Sequence, residues 1–164
     1  MTATTPDFDK LAQQFDGTNV LAILLMGSYA REDAGPYSDI DILRLVSGKT
    51  EELSPDGSYL IDEKLVNISD ADSAQVEAWF TDPSQAVTVV ASLRDARVLI
   101  ERDDAFAPIL ERANSFVWDD EMQSKANAYA SREMVGWVEE VLKGLEGLRR
   151  MDLEPVSYTH LRAH

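Results

Sequence analysis

Apolar residues recur along this chain with two periods, and the alternation of those periods gives the elements. Phe8, Leu11, Ala12 and Phe15 stand at helical spacing before Asp16-Gly17 breaks the pattern, which predicts a short amphipathic helix. Val20–Met26 is an uninterrupted apolar run of the kind found in a central strand covered on both faces. Gly27-Ser28 ends that run with residues suited to a tight turn and a helix N-cap, so a short helix is expected to follow. Gly35 and Pro36 mark 33–38 as a loop, and 39–46 alternates as a strand does, which places Asp39 and Asp41 on one face.

Further on, 59–61 and 65–68 read as two strands joined across Asp62-Glu63-Lys64, and 96–100 as another short one. Helical patterns fill 71–80 and 84–93, with Pro83 at the expected start of the second. Beyond 104 nearly everything to 150 is helical: first 105–113, then a long helix from about 120. Its stripe of Met134, Val138, Val141, Leu142, Leu145 and Leu148 requires a partner surface. The fold class predicted is α+β, a small mixed β-sheet flanked by helices and followed by a C-terminal helical segment. The expected organisation is a first domain over 1–103, a helical segment over 104–154 that ends early, and a non-native tail over 155–164. That tail resembles vector read-through and holds both histidines, His160 and His164, so their helical i,i+4 spacing is not taken as a metal pair.

Composition narrows the function. With 45% hydrophobic and 27% charged residues over 164 positions the chain has ordinary globular usage and fits one sizeable core. Thirty acids against 15 bases give a net charge of −15, which disfavours polymeric nucleic acid as a partner and favours cationic ones. There is no cysteine, hence no disulfide framework or thiolate metal site, and no leader or membrane-spanning run is visible. A cytoplasmic location without membrane association is expected.

The chemistry-bearing residues cluster between 27 and 41. Gly27 lets the backbone approach a phosphate chain, Ser28 offers a hydroxyl at a helix start, and Arg31, one turn later, is a fixed multidentate cation. Asp39 and Asp41 are hard oxygen ligands suited to Mg²⁺, and a pair of such metals activates an attacking oxygen and stabilises leaving pyrophosphate. Each feature alone is commonplace. Their order, with an apolar strand before Gly27 and an alternating strand from Asp39, points to nucleotidyl transfer.

The string Gly27-Ser28-Tyr29-Ala30-Arg31 through Pro36-Tyr37-Ser38-Asp39-Ile40-Asp41 resembles the polymerase-beta-type nucleotidyltransferase superfamily, and within it the aminoglycoside enzymes typified by kanamycin nucleotidyltransferase. The resemblance implies the nucleotidyltransferase fold, MgATP as donor of the nucleoside monophosphate, and a hydroxyl of a small molecule, such as an aminoglycoside antibiotic, as acceptor, with antibiotic resistance as the outcome. It puts Ser38 with Gly27, Ser28 and Arg31 among nucleotide-binding residues. A weaker similarity continues through Val66-Asn67 to the long helix, where Glu139 and Lys143 resemble a general base and a phosphate contact. The resemblance also implies a third carboxylate; the position suggested by Val66-Asn67 falls on Leu65, leaving Asp62 or Glu63 as nearest candidates for a third metal ligand. Relatives continue through a longer helical region that helps form the acceptor pocket, so an incomplete acceptor site is expected here, and some complete the cleft as homodimers, which makes a homodimer an expectation for this chain. The competing reading is a minimal nucleotidyltransferase-fold antitoxin, or a catalytically weakened binding protein.

Overall fold

The computed structural model describes residues 6–48 and 54–150. The stretch 155–164 lies outside the described residues, as does the end of the 104–154 segment.

Helix α1 (Phe8–Gln14) starts where the Asp7 side chain accepts from the Lys10 N–H at 3.0 Å. It leads into β1 (Val20–Met26), the one-turn helix α2 (Gly27–Ala30) and β2 (Ile40–Val46). A hairpin of β3 (Gly57–Ile61) and β4 (Lys64–Ala71) follows, then α3 (Ser73–Thr81), α4 (Pro83–Arg94) and β5 (Arg97–Glu101). Helices α5 (Ala107–Ser115) and α6 (Asp120–Arg150) complete the described chain. The five strands form one sheet in the order β3-β4-β2-β1-β5, in which β2 and β4 run parallel and every other neighbouring pair antiparallel. The predicted mixed sheet with flanking helices and a C-terminal helix is therefore what the chain forms.

Both faces of the central strands are covered, which is why β1 is apolar throughout. On one face Ile23, Leu25, Ile40, Ile42, Val66 and Ile68 pack with Leu11, Ala12 and Phe15 of the N-terminal segment. On the other, Ala22, Leu24, Leu43 and Leu45 pack with Trp79, Phe80, Val90, Leu93 and Phe106. One charged side chain enters this interior. Arg44 is fully buried and donates to both Asp70 oxygens, from Nε at 2.6 Å and Nη2 at 3.0 Å, and to the Phe15 carbonyl at 3.4 Å.

Several boundaries differ from the sequence pattern, and three of them bear on the site. Strand β4 runs on to Ala71, because Asp72 caps α3: its side chain accepts from the Ala74 and Gln75 N–H groups while Gln75 reaches back to the Asp72 N–H. The N-cap position of α2 is Met26, so Ser28 lies inside the helical turn rather than capping it. The β3–β4 connection is two residues, Asp62 and Glu63, with φ of 48° and 64°, the double positive φ that a tight hairpin with the right-handed twist requires.

The first compact unit runs over Met1–Gln123 and takes in α5 as well as the sheet and its helices. Arg94 ties α5 to α4 by donating from Nε to the Ala113 carbonyl at 2.9 Å. The second unit, Ser124–His164, is described only for its part of α6, where Met134, Trp137, Val138, Val141, Leu142, Leu145 and Leu148 are all exposed. No helix among the described residues is long and apolar enough to cross a membrane.

Candidate active site

The end of β1 and the start of β2 meet on the face that carries α3 and α4. Their antiparallel register sets Met26 opposite Asp41, so the turn at Gly27 falls against the Asp41 side chain. Gly27 adopts φ +64°, and a Cβ there would lie 2.6 Å from Asp41 Oδ2. Only glycine combines that backbone conformation with that proximity. The close approach made at Gly27 is therefore an approach to the Asp41 carboxylate.

Strand β4 completes the arrangement from the other side. The parallel register pairs Asp41 with Asn67, and the Asn67 Nδ2 group donates to Asp39 Oδ2 at 2.7 Å and to Asp41 Oδ1 at 3.1 Å. The other end of the amide is held too: Asn67 Oδ1 accepts from the Ser58 hydroxyl at 2.8 Å. Strand β2 begins at Ile40, one residue later than the alternation predicts, so Asp41 on the strand and Asp39 just before it are bridged by a neutral amide.

The remaining predicted residues fall as follows. Ser28 is half-buried in α2, whose core-facing side is fixed by Tyr29 packed edge-on against Phe8 at 5.6 Å between ring centres. A helix of four residues has little macrodipole, so attraction for anions here rests on backbone approach and the Ser28 hydroxyl more than on the helix end. Arg31 follows directly after α2 and pairs with Asp33, Nε to Oδ2 at 3.2 Å, in an exposed position. The Ser38 hydroxyl accepts from the Gly35 N–H at 2.8 Å, closing the turn that delivers Asp39 to the sheet. Asp62 and Glu63 occupy the hairpin turn, and the nearer, Glu63, precedes Asn67 by four residues, about 13 Å along the strand. Leu65, the position inferred for a third carboxylate, is partly exposed and pairs with Leu60. Among the described residues no three or more carboxylates or histidines come together as a metal cluster. Glu139 and Lys143 both belong to the second unit, where the Lys143 ammonium lies 3.3 Å from Glu140 Oε1 on an exposed helix surface.

A cavity of about 600 Å³ opens beside the carboxylates, between the sheet and the α3–α4 pair. Its lining mixes apolar side chains, among them Met26, Leu43, Trp79 and Val89, with Gly27, the carboxylates of Asp41 and Asp70, and the hydroxyl residues Ser69 and Ser92. The sequence pattern did not single out Trp79, because an aromatic at helical spacing reads as core, nor the Ser58–Asn67 contact, because it depends on the β3–β4 pairing.

The nucleotidyltransferase domain family model matches residues 8–100, which holds α1, the whole glycine-to-aspartate stretch, the hairpin and both helices that wall the cavity. The chain belongs to the nucleotidyltransferase domain family. Among solved structures, a nucleotidyltransferase-like protein from Exiguobacterium sibiricum 255-15 superposes with a TM-score of 0.46 at 12% identity, covering 68% of this chain and 37% of that one. This nucleotidyltransferase chain therefore spans little more than a third of that protein's length. A toxin-antitoxin structure with AMP-PNP superposes with a TM-score of 0.42 at 14% identity, covering 84% of this chain and 99% of that one. No curated protein sequence matches the chain. Gly27 and Asp41, both within the matched residues, line the cavity.

Proposed function

We propose that the chain binds a nucleoside triphosphate, ATP by the resemblance of its motif, across Gly27-Ser28 and the Asp39/Asp41 pair, and transfers the nucleoside monophosphate to a hydroxyl of a small molecule. The observation that carries this reading is the seating of Gly27 directly against Asp41, since only a glycine lets the backbone come that close to a hard anionic ligand and both residues line the cavity. A divalent cation held by Asp39 and Asp41 supplies charge neutralisation at the reacting phosphate. In the reaction the acceptor oxygen forms a bond to the α-phosphorus, the bond from that phosphorus to the bridging oxygen breaks, pyrophosphate departs, and the hydroxyl proton passes to a base.

The cavity lined by Trp79, Val89, Ser69 and Ser92 has the size and mixed lining of a small-molecule site, with a flat aromatic wall and hydroxyls near Asp41. A net charge of −15 favours a cationic acceptor, and the kanamycin-type motif makes an aminoglycoside the first class to try. The test is incubation with α-labelled ATP, Mg²⁺ and a panel of aminoglycosides and neutral polyols, with product separated chromatographically. Labelled adduct that disappears in Asp41→Asn supports the reading; absence of transfer to every acceptor refutes it.

A second reading, a nucleotide-binding protein with weakened chemistry, is favoured by one specific observation: Asn67 stands beside Asp41 where a carboxylate would complete the ligand set. Tight nucleotide binding without transfer is its signature.

A further inference from the structure

The amide between the two aspartates has a defined polarity. Because the Ser58 hydroxyl donates to Asn67 Oδ1 at 2.8 Å, the Nδ2 end is turned toward Asp39 and Asp41, and each of its two hydrogens has a carboxylate oxygen to meet. These are the oxygens that a divalent cation would claim. The amide hydrogens neutralise part of the mutual repulsion of two carboxylates held on one strand face, which is what a cation would otherwise do. No third carboxylate joins the pair among the described residues, and the positive end of an amide dipole stands against it.

We propose that Asn67 is a positioning residue that keeps the site in a cation-poor resting state, so that the divalent cation enters together with the nucleotide, whose phosphates complete its ligands, rather than being held beforehand. The inference rests on the proposed nucleotide reading of the same site and adds to it the order of loading. It follows from the charge count: a hard cation is held by the number and charge of its oxygen ligands, and two carboxylates already engaged by an amide are a weak site on their own. Nucleotide phosphates bring further anionic oxygens and shift the competition in favour of the cation. Binding of the two ligands is then coupled, each raising the other's affinity by the same factor.

The experiment is a Mn²⁺ titration followed by the electron paramagnetic resonance signal of the free ion, with and without a non-hydrolysable ATP analogue, on the full chain and its variants. The wild type is expected to bind Mn²⁺ weakly alone and at least about tenfold more tightly with the analogue. Asn67→Asp, nearly identical in shape, is expected to bind Mn²⁺ alone at least about tenfold more tightly than the wild type. Asn67→Ala, which removes the competing hydrogens, is expected to bind it a few-fold more tightly, and it decides the matter if Asn67→Asp does not fold. Weaker Mn²⁺ binding by Asn67→Ala overturns the inference, since it would make the amide oxygen a cation ligand, and so does unchanged affinity in both variants. If no protein binds Mn²⁺ even with the analogue present, the nucleotide reading of the site itself falls.

Discussion

Replacing Gly27 by alanine puts the site's geometry to a quantitative test. Two effects combine there. A side chain at φ +64° is strained by about 1–2 kcal/mol in the left-handed region. The new methyl would also stand 2.6 Å from Asp41 Oδ2, so the carboxylate must swing away. Its 3.1 Å bond from Asn67 lengthens or breaks, a further loss of about 0.5–1.5 kcal/mol for one hydrogen bond. The expected total is about 2–3 kcal/mol, or roughly 8–12 °C in Tm for a unit of this size. Gly48→Ala is the matched control: φ there is +89° and nothing lies within 4 Å of the added carbon, so it carries strain without a clash. Thermal unfolding by circular dichroism and binding of a Mn²⁺–ATP analogue by calorimetry are measured on both variants. Gly27→Ala should lose stability and nucleotide affinity together, Gly48→Ala stability alone. Equal nucleotide affinity in Gly27→Ala and the wild type would refute the placement of Gly27 against Asp41 as a functional contact.

Three further outcomes are expected. Asp39→Asn should reduce cation-dependent nucleotide binding at least about tenfold by calorimetry while leaving Tm unchanged or raised, since it relieves one of two facing carboxylates; unfolding of the variant would place Asp39 in the core instead. Arg44→Met should destabilise by about 3 kcal/mol or more in urea denaturation, because it leaves Asp70 without its buried partner; a neutral effect would contradict the ion pair. For pH, the Arg102 side chain, bonded to both Asp16 oxygens at 2.9 and 2.7 Å, holds the Asp16 carboxyl below its ordinary value of 3.8. The folded state thus binds that proton less readily than the unfolded one, so the pair's stabilisation is complete above pH 3.8 and is lost as pH falls through that value and the lower folded one. With both partners partly exposed the contribution is about 0.2–1 kcal/mol, and Arg102→Met should flatten the acid limb of a Tm–pH curve by that amount.

Element types were legible because their causes are local. The apolar run of β1, the Pro83 start of α4 and the helical spacing of α1 each depend on residues within one turn or strand, and each formed as predicted. The pairing of Gly27 with Asp41 was half legible: residue types announced a phosphate-and-cation chemistry, while the contact itself depends on the β1–β2 register. Asn67 was legible only as part of the Val66-Asn67 similarity, and its contact with the aspartates was not. Its role follows from the parallel pairing of β2 with β4, which brings residues 26 positions apart side by side, and periodicity within one strand carries no information about its neighbour's register. Similarly, Asp62 and Glu63 read as candidate ligands by charge, whereas the hairpin uses them as the two residues that must accept positive φ. The alternation puts Arg44 on the apolar face of Ile40 and Ile42, and its burial there becomes intelligible only once Asp70 is found beside it.

That buried arginine has a consequence for the opposite face of the sheet. Arg44 is the cross-strand partner of Asp70 just as Asp41 is the partner of Asn67, three residues earlier on the same two strands. A slip of β4 by one residue would point Asp70 to the wrong face and strand an uncompensated guanidinium in the apolar interior, a penalty far larger than any loss at the site itself. The ion pair therefore acts as an alignment key. It adds no atom to the nucleotide site, yet it rejects the shifted pairings in which Asn67 would never meet the two aspartates.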